Sequence, residues 1–194
     1  IVLCALGDGM TQQGEVLEAI GHAVRAELPV MFMVEDNAFA ISTKTRGQTF
    51  YSTPDGDAEQ FYGIPIHRID GRYATEAYSL FGEVVGEMRQ SRRPSIIIFQ
   101  VDRLNNHTNA DDQRVYRSAE EIEQVRLSGD PLIHAKKHLL AAGVNESELS
   151  TLEDEVRETV KESAYRTQRT QEPEPMLGAK KALPPELTAR DREY

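Results

Sequence analysis

An aspartate within Gly7-Asp8-Gly9 and an asparagine at position 37 are the side chains whose types and spacing most directly imply chemistry. They stand 29 positions apart. Each follows a short apolar run: Ile1-Val2-Leu3-Cys4-Ala5-Leu6 before the first, Val30-Met31-Phe32-Met33-Val34 before the second. A carboxylate and an amide carbonyl are hard oxygen ligands. They suit magnesium, which takes about six oxygens and shares them among protein, phosphates and water. Gly7 and Gly9 let a turn run close to a diphosphate, and the amides that open the following helix point at such an anion. The residues alone lead to an α/β domain with a magnesium-diphosphate site.

The elements that must hold these groups alternate along the first hundred residues. Val2–Leu6 reads as a continuous apolar strand of the kind found in a sheet covered on both faces. Val16, Leu17, Ile20, Ala23 and Val24 follow helical spacing within Gln13–Glu27, and Pro29 ends that helix. Val30–Val34 is the second strand, so Asp8 and Asn37 fall at the carboxyl ends of two strands, where open α/β sheets bind ligands. Ala38-Phe39-Ala40-Ile41-Ser42 continues from the asparagine. Thr43–Pro54 reads as a polar loop, Asp55–Tyr62 as a short helix and Ile64–Ile69 as a strand closed by Asp70-Gly71. Ala77, Leu80, Phe81, Val84, Val85 and Met88 mark a long amphipathic helix. Ser95–Val101, with three consecutive isoleucines, is the most β-like run. Repeated βα units imply a parallel sheet.

The character changes at Arg103. Residues 103–117 form a long polar segment, and long segments of that kind are functional or disordered more often than merely connecting. Asp130-Pro131 caps a helix start and Gly143 supplies its stop. Leu152, Val156 and Val160 mark a last helix. From about Gln171 the pattern dissolves into a proline-rich linker or tail.

Composition narrows the classes. Charged residues are 28% and hydrophobic residues 39% of the chain, so a packed core is within reach. A net charge of −10 argues against nucleic-acid affinity, which needs clustered Lys and Arg. No apolar run approaches the roughly 20 residues of a membrane span. The single Cys4 rules out an internal disulfide, fits a reducing compartment (the bacterial cytoplasm is expected, with the mitochondrial matrix as the alternative), and is expected to be a small buried strand residue. The chain opens inside a strand-like run without an initiator Met, so a piece of a longer polypeptide is expected.

With these residues in view, the chain resembles the alpha subunit of thiamine-diphosphate-dependent 2-oxoacid dehydrogenases, the first, decarboxylating component of the pyruvate and branched-chain complexes. The match rests on Gly7-Asp8-Gly9-Met10-Thr11-Gln12-Gln13-Gly14-Glu15, Leu28-Pro29-Val30 and Asn37-Ala38-Phe39-Ala40-Ile41-Ser42-Thr43. It rests equally on Arg103, His107-Thr108, Asp111-Asp112 and Tyr116-Arg117 in the long loop, and it spans roughly residues 1–165. The resemblance implies a parallel-sheet thiamine-diphosphate-binding fold with helices on both faces, C-terminal helices and an extended tail. It implies that Asp8, Asn37 and the backbone carbonyl of Phe39 bind magnesium. Gly7, Gly9, Met10 and Ile41 should contact thiamine diphosphate. His107 should bind the cofactor's reactive end and assist acyl transfer, with Arg103, Asp111, Tyr116 and Arg117 ordering its loop, which is expected to lose order when the cofactor is absent.

The same resemblance implies a diphosphate-binding domain over 1–166, a linker or tail over 167–194, and a partner domain or subunit that holds the pyrimidine ring. It further implies a lipoyl-bearing acyltransferase partner and a dimer or heterotetramer-like assembly, with branched-chain 2-oxoacids favoured over pyruvate. Gln13 and Asp36 depart from the residues many relatives carry there, Glu and Asn. His134 and His138, four apart on a helix, and His22 and His67 read as structural or surface residues. A transketolase-like ketol transferase shares the Gly-Asp-Gly signal but not the loop around His107. A non-catalytic assembly or regulatory module is the alternative from another class.

Overall fold

The computed structural model describes residues 1–170, and the proline-rich tail expected from Gln171 lies outside them. The chain divides into two compact units, Ile1–Val144 and a second that begins at Asn145. The first is built on a five-stranded sheet in the order β1-β2-β9-β8-β7. Here β1 is Val2–Gly7, β2 Val30–Asp36, β7 Gln60–Phe61, β8 Ile64–Asp70 and β9 Ser95–Gln100. Every pair among β1, β2, β9 and β8 is parallel, and only the two-residue β7 runs antiparallel, against β8. Helix α1 (Gly14–Arg25) crosses from β1 to β2, and α2 (Ala74–Ser91) crosses from β8 to β9.

Alternation along the strands sends side chains to opposite faces. Phe32 and Val34 of β2, Ile64 and Ile66 of β8, and Ile96 and Ile98 of β9 pack with Ile20 and Ala23 of α1. Met31, Ile69 and Ile97 point the other way, onto Ala77, Val84 and Met88 of α2. Thus the triple isoleucine of β9 divides between two cores, one per face. Burying each such side chain is worth roughly 1.5–3 kcal/mol. α1 ends before Pro29, as its pattern predicts. α2 ends at Arg92, which takes the left-handed φ of 58° that terminates helices, two residues before Pro94.

Register lines up the carboxyl ends. Gly7 lies opposite Glu35, and Asp36 and Asp70 both lie opposite Gln100. Val101 N–H extends this ladder by donating to the Asp36 carbonyl at 2.9 Å. One edge of the sheet therefore presents Asp8, Asn37 and, three residues past β9, Arg103.

Several expectations need correction. β1 is not covered on both faces: it is an edge strand, with Val2 61% and Leu3 53% exposed and only Leu6 buried. Cys4 is exposed for the same reason, not a buried strand residue. Asp55–Tyr62 is not a helix. Gly56–Asp57 (β6) pairs with Ser52–Thr53 (β5), and the next two strand residues form β7. Gly56 at φ 128° and Gly63 at φ 76° supply turns that helical backbone cannot make. Nor is Thr43–Pro54 only a polar surface loop. Thr43–Lys44 (β4) pairs with Phe39–Ala40 (β3), and Thr45, Thr49, Tyr51 and Ser52 are buried. Arg68 anchors this segment by donating to the Tyr51 and Ala58 carbonyls at 2.9 and 3.0 Å.

After the long loop, a helix starts where the Asp130-Pro131 cap predicts, and Ser118 caps the helix before it. Ser118 accepts from Glu121 N–H ahead of α3 (Ala119–Ser128), and Asp130 accepts from Leu132 N–H ahead of α4 (Pro131–Ala141). Gly143, at φ 91°, follows α4. In the second unit, α5 (Glu146–Arg169) opens with a capping box between Asn145 and Glu148. Its charged face carries Arg157–Asp154 and Lys161–Glu158 pairs, as expected of a solvated face. Among the described residues no helix is long and apolar enough to cross a membrane.

Candidate functional site

Asp8 opens a 3-10 turn, Asp8–Gln12, between β1 and α1 and is 3% exposed. Its carboxylate is held from both ends. Oδ1 accepts from the Gly9 N–H at 2.8 Å, and Oδ2 accepts from the Thr45 hydroxyl at 2.7 Å. The Thr11 hydroxyl donates to the Asp8 main-chain carbonyl at 2.6 Å. The two flanking glycines differ in role. A Cβ on Gly9 would lie 2.6 Å from the Ala40 Cβ, so Gly9 is what lets the turn after β1 touch the hairpin after β2. A Cβ on Gly7 would meet nothing within 4 Å among the described residues. Met10 is 54% exposed at the rim.

Asn37 sits past the end of β2, in a turn where Ala38 has φ 64° and Ile41 φ 57°. A left-handed φ is rare for any side chain and a true outlier for β-branched Ile, so this backbone is strained where the candidate ligands lie. Asn37 Oδ1 accepts from the Phe39 N–H at 3.1 Å. It also accepts from Arg103 Nη2 at 3.3 Å, and the same nitrogen donates to the Phe39 carbonyl at 2.7 Å. Arg103 Nη1 donates to the Ile41 carbonyl and, at 3.2 Å, to the Tyr116 hydroxyl. The guanidinium lies over the Phe39 ring, 5.3 Å from its centroid. Two of the three oxygens expected to bind magnesium thus already converge on one cationic group.

From Arg103 the contacts run into the long loop. The Tyr116 hydroxyl donates to Asp111 Oδ2 at 2.7 Å, and the same oxygen accepts from the His107 backbone N–H at 2.8 Å. These two donors hold the Asp111 carboxyl below its usual range. Arg117, 6% exposed, donates to the Arg103 carbonyl and to Gln113 Oε1, pairs with Glu121, and lies over the Phe39 ring, 5.4 Å from its centroid. Segment 103–117 thus carries hydrogen bonds within itself and to the turn after β2, and includes a 3-10 turn at Gln113–Val115. His107 is fixed through its backbone, and its ring is exposed.

Beside these groups, Asp36 is half-buried, and burial pushes its carboxyl upward, against the lowering effect of the Ala38 N–H that it accepts. Tyr51 is 2% exposed, and among the described residues its hydroxyl has no hydrogen-bond partner. Burial, with Asp36 and Asp8 nearby, pushes that phenol well above its ordinary range.

Could these residues hold a metal? Among the described residues no group of three or more His, Cys, Asp or Glu could do so alone. The donor set is instead one carboxylate, one amide oxygen and one main-chain carbonyl. That set fits a magnesium ion that keeps most of its shell from phosphates and water, and fits poorly a metal that needs an all-protein cage. It agrees with a diphosphate-linked ion.

The family called "Dehydrogenase E1 component" matches residues 1–176. The chain belongs to the dehydrogenase E1 component family. Its relatives include the pyruvate dehydrogenase E1 component subunit alpha of Zymomonas mobilis, 35% identical over 158 residues, which are 81% of this chain and 44% of the relative. The same subunit from Rhizobium meliloti is 31% identical over 178 residues, 90% of this chain and 50% of the relative. The 3-methyl-2-oxobutanoate dehydrogenase subunit alpha of Mycobacterium tuberculosis is 35% identical over 124 residues, 64% of this chain and 34% of the relative. The chain spans about half the length or less of these relatives.

Of the E1 site expected from sequence, the structure gathers Asp8, Gly9, Asn37, Phe39 and Ile41 at one sheet edge. Gly7 ends β1 beside them, Met10 lies at the rim, and His107 joins through Asp111, Tyr116 and Arg103. Two participants, Thr45 and Tyr51, went unforeseen, and a third, Arg103, does more than was expected of it. Arg103 was read as ordering the loop, yet it also binds the candidate ligand oxygens. Thr45 and Tyr51 sit in a stretch read as polar loop. The only available signal was indirect: Tyr51 is an aromatic residue inside that stretch. His134 and His138 are structural or surface residues, as expected. His134 Nε2 is 2.7 Å from the Ser128 carbonyl, and its ring packs on Tyr73, while His138 is exposed.

Proposed function

We propose that this chain is the diphosphate-gripping part of a 2-oxoacid dehydrogenase first component, acting in thiamine-diphosphate-dependent oxidative decarboxylation with acyl transfer to a lipoyl carrier. The observation that carries this reading is the convergence of Asn37 Oδ1 and the Phe39 carbonyl on one cationic group, beside the doubly held Asp8 carboxylate. In this reading Asp8, Asn37 and Phe39 hold magnesium. A carbonyl oxygen carries two lone pairs, so Phe39 can serve Arg103 and a metal together. Gly7, Gly9, Met10 and Ile41 flank the diphosphate. When bound, thiamine diphosphate supplies the electron-accepting chemistry that lets a 2-oxoacid lose carbon dioxide.

This chain's own residues bind and orient. Asp111, kept ionised by the His107 N–H and Tyr116, fixes the backbone from which the His107 ring reaches toward the reacting end. The other wall of the site belongs, in this proposal, to a pyrimidine-binding domain or subunit, in a dimer or heterotetramer-like assembly in the cytoplasm. A lipoyl-bearing acyltransferase receives the acyl group. Branched-chain 2-oxoacids are the favoured substrates, supported by the look of the His107–Arg117 loop. Relatives named for both substrate classes stand close in identity.

The test is turnover of pyruvate and of 3-methyl-2-oxobutanoate by the full-length enzyme with its partner, with and without thiamine diphosphate and magnesium. Asp8→Ala and Asn37→Ala should each abolish magnesium-dependent turnover. Unchanged magnesium dependence in both would show that other oxygens bind the ion.

A further inference from the structure

Asp8 ends one strand crossing and Asn37 the other, so something must set the distance between them. One residue touches both arms. Thr45 is 6% exposed and follows β4, which folds back on β3 with Ala40 opposite Thr43 and Phe39 opposite Lys44. That hairpin carries Thr45 alongside the start of its own turn, where its N–H donates to the Ala38 carbonyl at 3.1 Å. Ala38 lies between Asn37 and Phe39. From the same position the Thr45 hydroxyl donates to Asp8 Oδ2 at 2.7 Å, across 37 residues of sequence.

The consequence for Asp8 is orientational. The last torsion of an aspartate is broad and roughly two-fold, so a single donor leaves its carboxylate plane loosely set. Here the Gly9 N–H takes one oxygen and the Thr45 hydroxyl takes the other, which fixes the plane from both ends. A hydroxyl suits this task because it donates one hydrogen bond without adding charge beside the carboxylate. Outer residues that orient metal ligands in this way commonly govern affinity by about 10–100-fold.

We propose that Thr45 is the positioning residue of the metal site, clamping the Asp8 carboxylate with its hydroxyl and the Asn37–Phe39 turn with its backbone N–H, so that all three ligand oxygens are set before the ion arrives. This rests on the magnesium reading given under Proposed function. Valine matches threonine in shape but lacks the hydroxyl, alanine removes both, and serine keeps the hydroxyl.

The experiment uses the full-length enzyme with its partner. Mn²⁺ replaces Mg²⁺, and free Mn²⁺ is titrated by electron paramagnetic resonance in the presence of thiamine diphosphate. Thr45→Val and Thr45→Ala should each weaken Mn²⁺ binding by roughly 10-fold or more, while Thr45→Ser restores most of it. The Mn²⁺ spectrum should broaden or shift in Thr45→Val and return in Thr45→Ser. Wild-type affinity in either hydroxyl-free variant overturns the proposal. So does a Thr45→Ser variant as weak as Thr45→Val, or a Thr45→Val effect confined to the melting temperature. Asp8→Asn separates the two levels. If it loses Mn²⁺ while Thr45→Val and Thr45→Ala keep it, only the role of Thr45 fails. If it keeps Mn²⁺, the magnesium reading fails and the role of Thr45 fails with it.

Discussion

Arg103 donates through Nη2 to the main-chain carbonyl of Phe39 at 2.7 Å, joining the loop after β9 to the strained turn after β2. Arg103 is 8% exposed, and its guanidinium also engages Ile41, Asn37 and Tyr116. An arginine fork can satisfy several acceptors at once, whereas an ammonium cannot reproduce that geometry.

Arg103→Met leaves buried carbonyls without a donor and is expected to cost about 3 kcal/mol, since each unsatisfied buried group costs roughly 1–3. In a unit of this size that lowers the melting temperature by about 6–12 °C. Arg103→Lys should recover little of the loss. Thermal unfolding by circular dichroism checks both, and a lysine variant as stable as wild type would contradict the fork argument.

Gly9 and Ala40 form a steric pair that can be tested as a pair. Gly9→Ala forces two Cβ atoms to within 2.6 Å unless the turn moves, at an expected cost of about 1–3 kcal/mol. Ala40→Gly in the same molecule should relieve most of that cost. The coupling energy from a double-mutant cycle is the readout. Additive effects would mean that the two turns do not press on each other.

Asp70 gives the pH prediction. Arg72 donates to it through Nε at 2.9 Å, Nη2 at 2.7 Å and its backbone N–H at 3.0 Å, and holds the carboxyl below its ordinary range. A depressed folded pKa means that the contribution is fully present above the unfolded value of about 3.9 and fades as pH falls through the folded value. Because the pair is partly exposed, Asp70→Asn should cost no more than about 1 kcal/mol at pH 7. The gap between variant and wild type should close as pH is lowered through and beneath the ordinary carboxylate range. Equal melting temperatures at pH 7 would remove the pair from the account.

Asp36 is a half-buried carboxylate that accepts from the Ala38 N–H, and burial together with the neighbouring Asp8 charge pushes its carboxyl upward. Asparagine can accept the same bond without the cost of a half-buried charge. Asp36→Asn should therefore raise the melting temperature of the metal-free protein at neutral pH. A lower value would show that the charge has a stabilising neighbour.

The parallel sheet and both crossover helices were legible because their signals are local. Strand-length stretches rich in apolar residues recur at 1–6, 30–34, 64–69 and 95–101, and Pro29 ends the first helix. The 43–63 stretch was not legible. Its strands are two residues long, too short for alternation to show, and it is held by side chains distant in sequence, such as Arg68 on Tyr51 and Ala58. For the site, Asp8 and Asn37 are readable from their place after strands, and the residues of the His107 loop from their composition. Thr45 carries no local mark, since its role depends on a hairpin that brings it back across 37 residues to Asp8. The exposure of Cys4 was missed because an apolar run does not reveal whether its strand lies inside a sheet or at its edge.

That edge has a consequence for handling the protein. The short antiparallel β7 blunts one margin of the sheet, but the side of β1 away from β2 has no strand beside it among the described residues, with Val2 and Leu3 exposed and no lysine or proline to deter pairing. Such an edge is a template for strands of other chains. A preparation of this chain alone should therefore lose soluble material with rising concentration. Charged substitutions at Val2 or Leu3 should slow that loss without touching the chemistry at the far end of the strand.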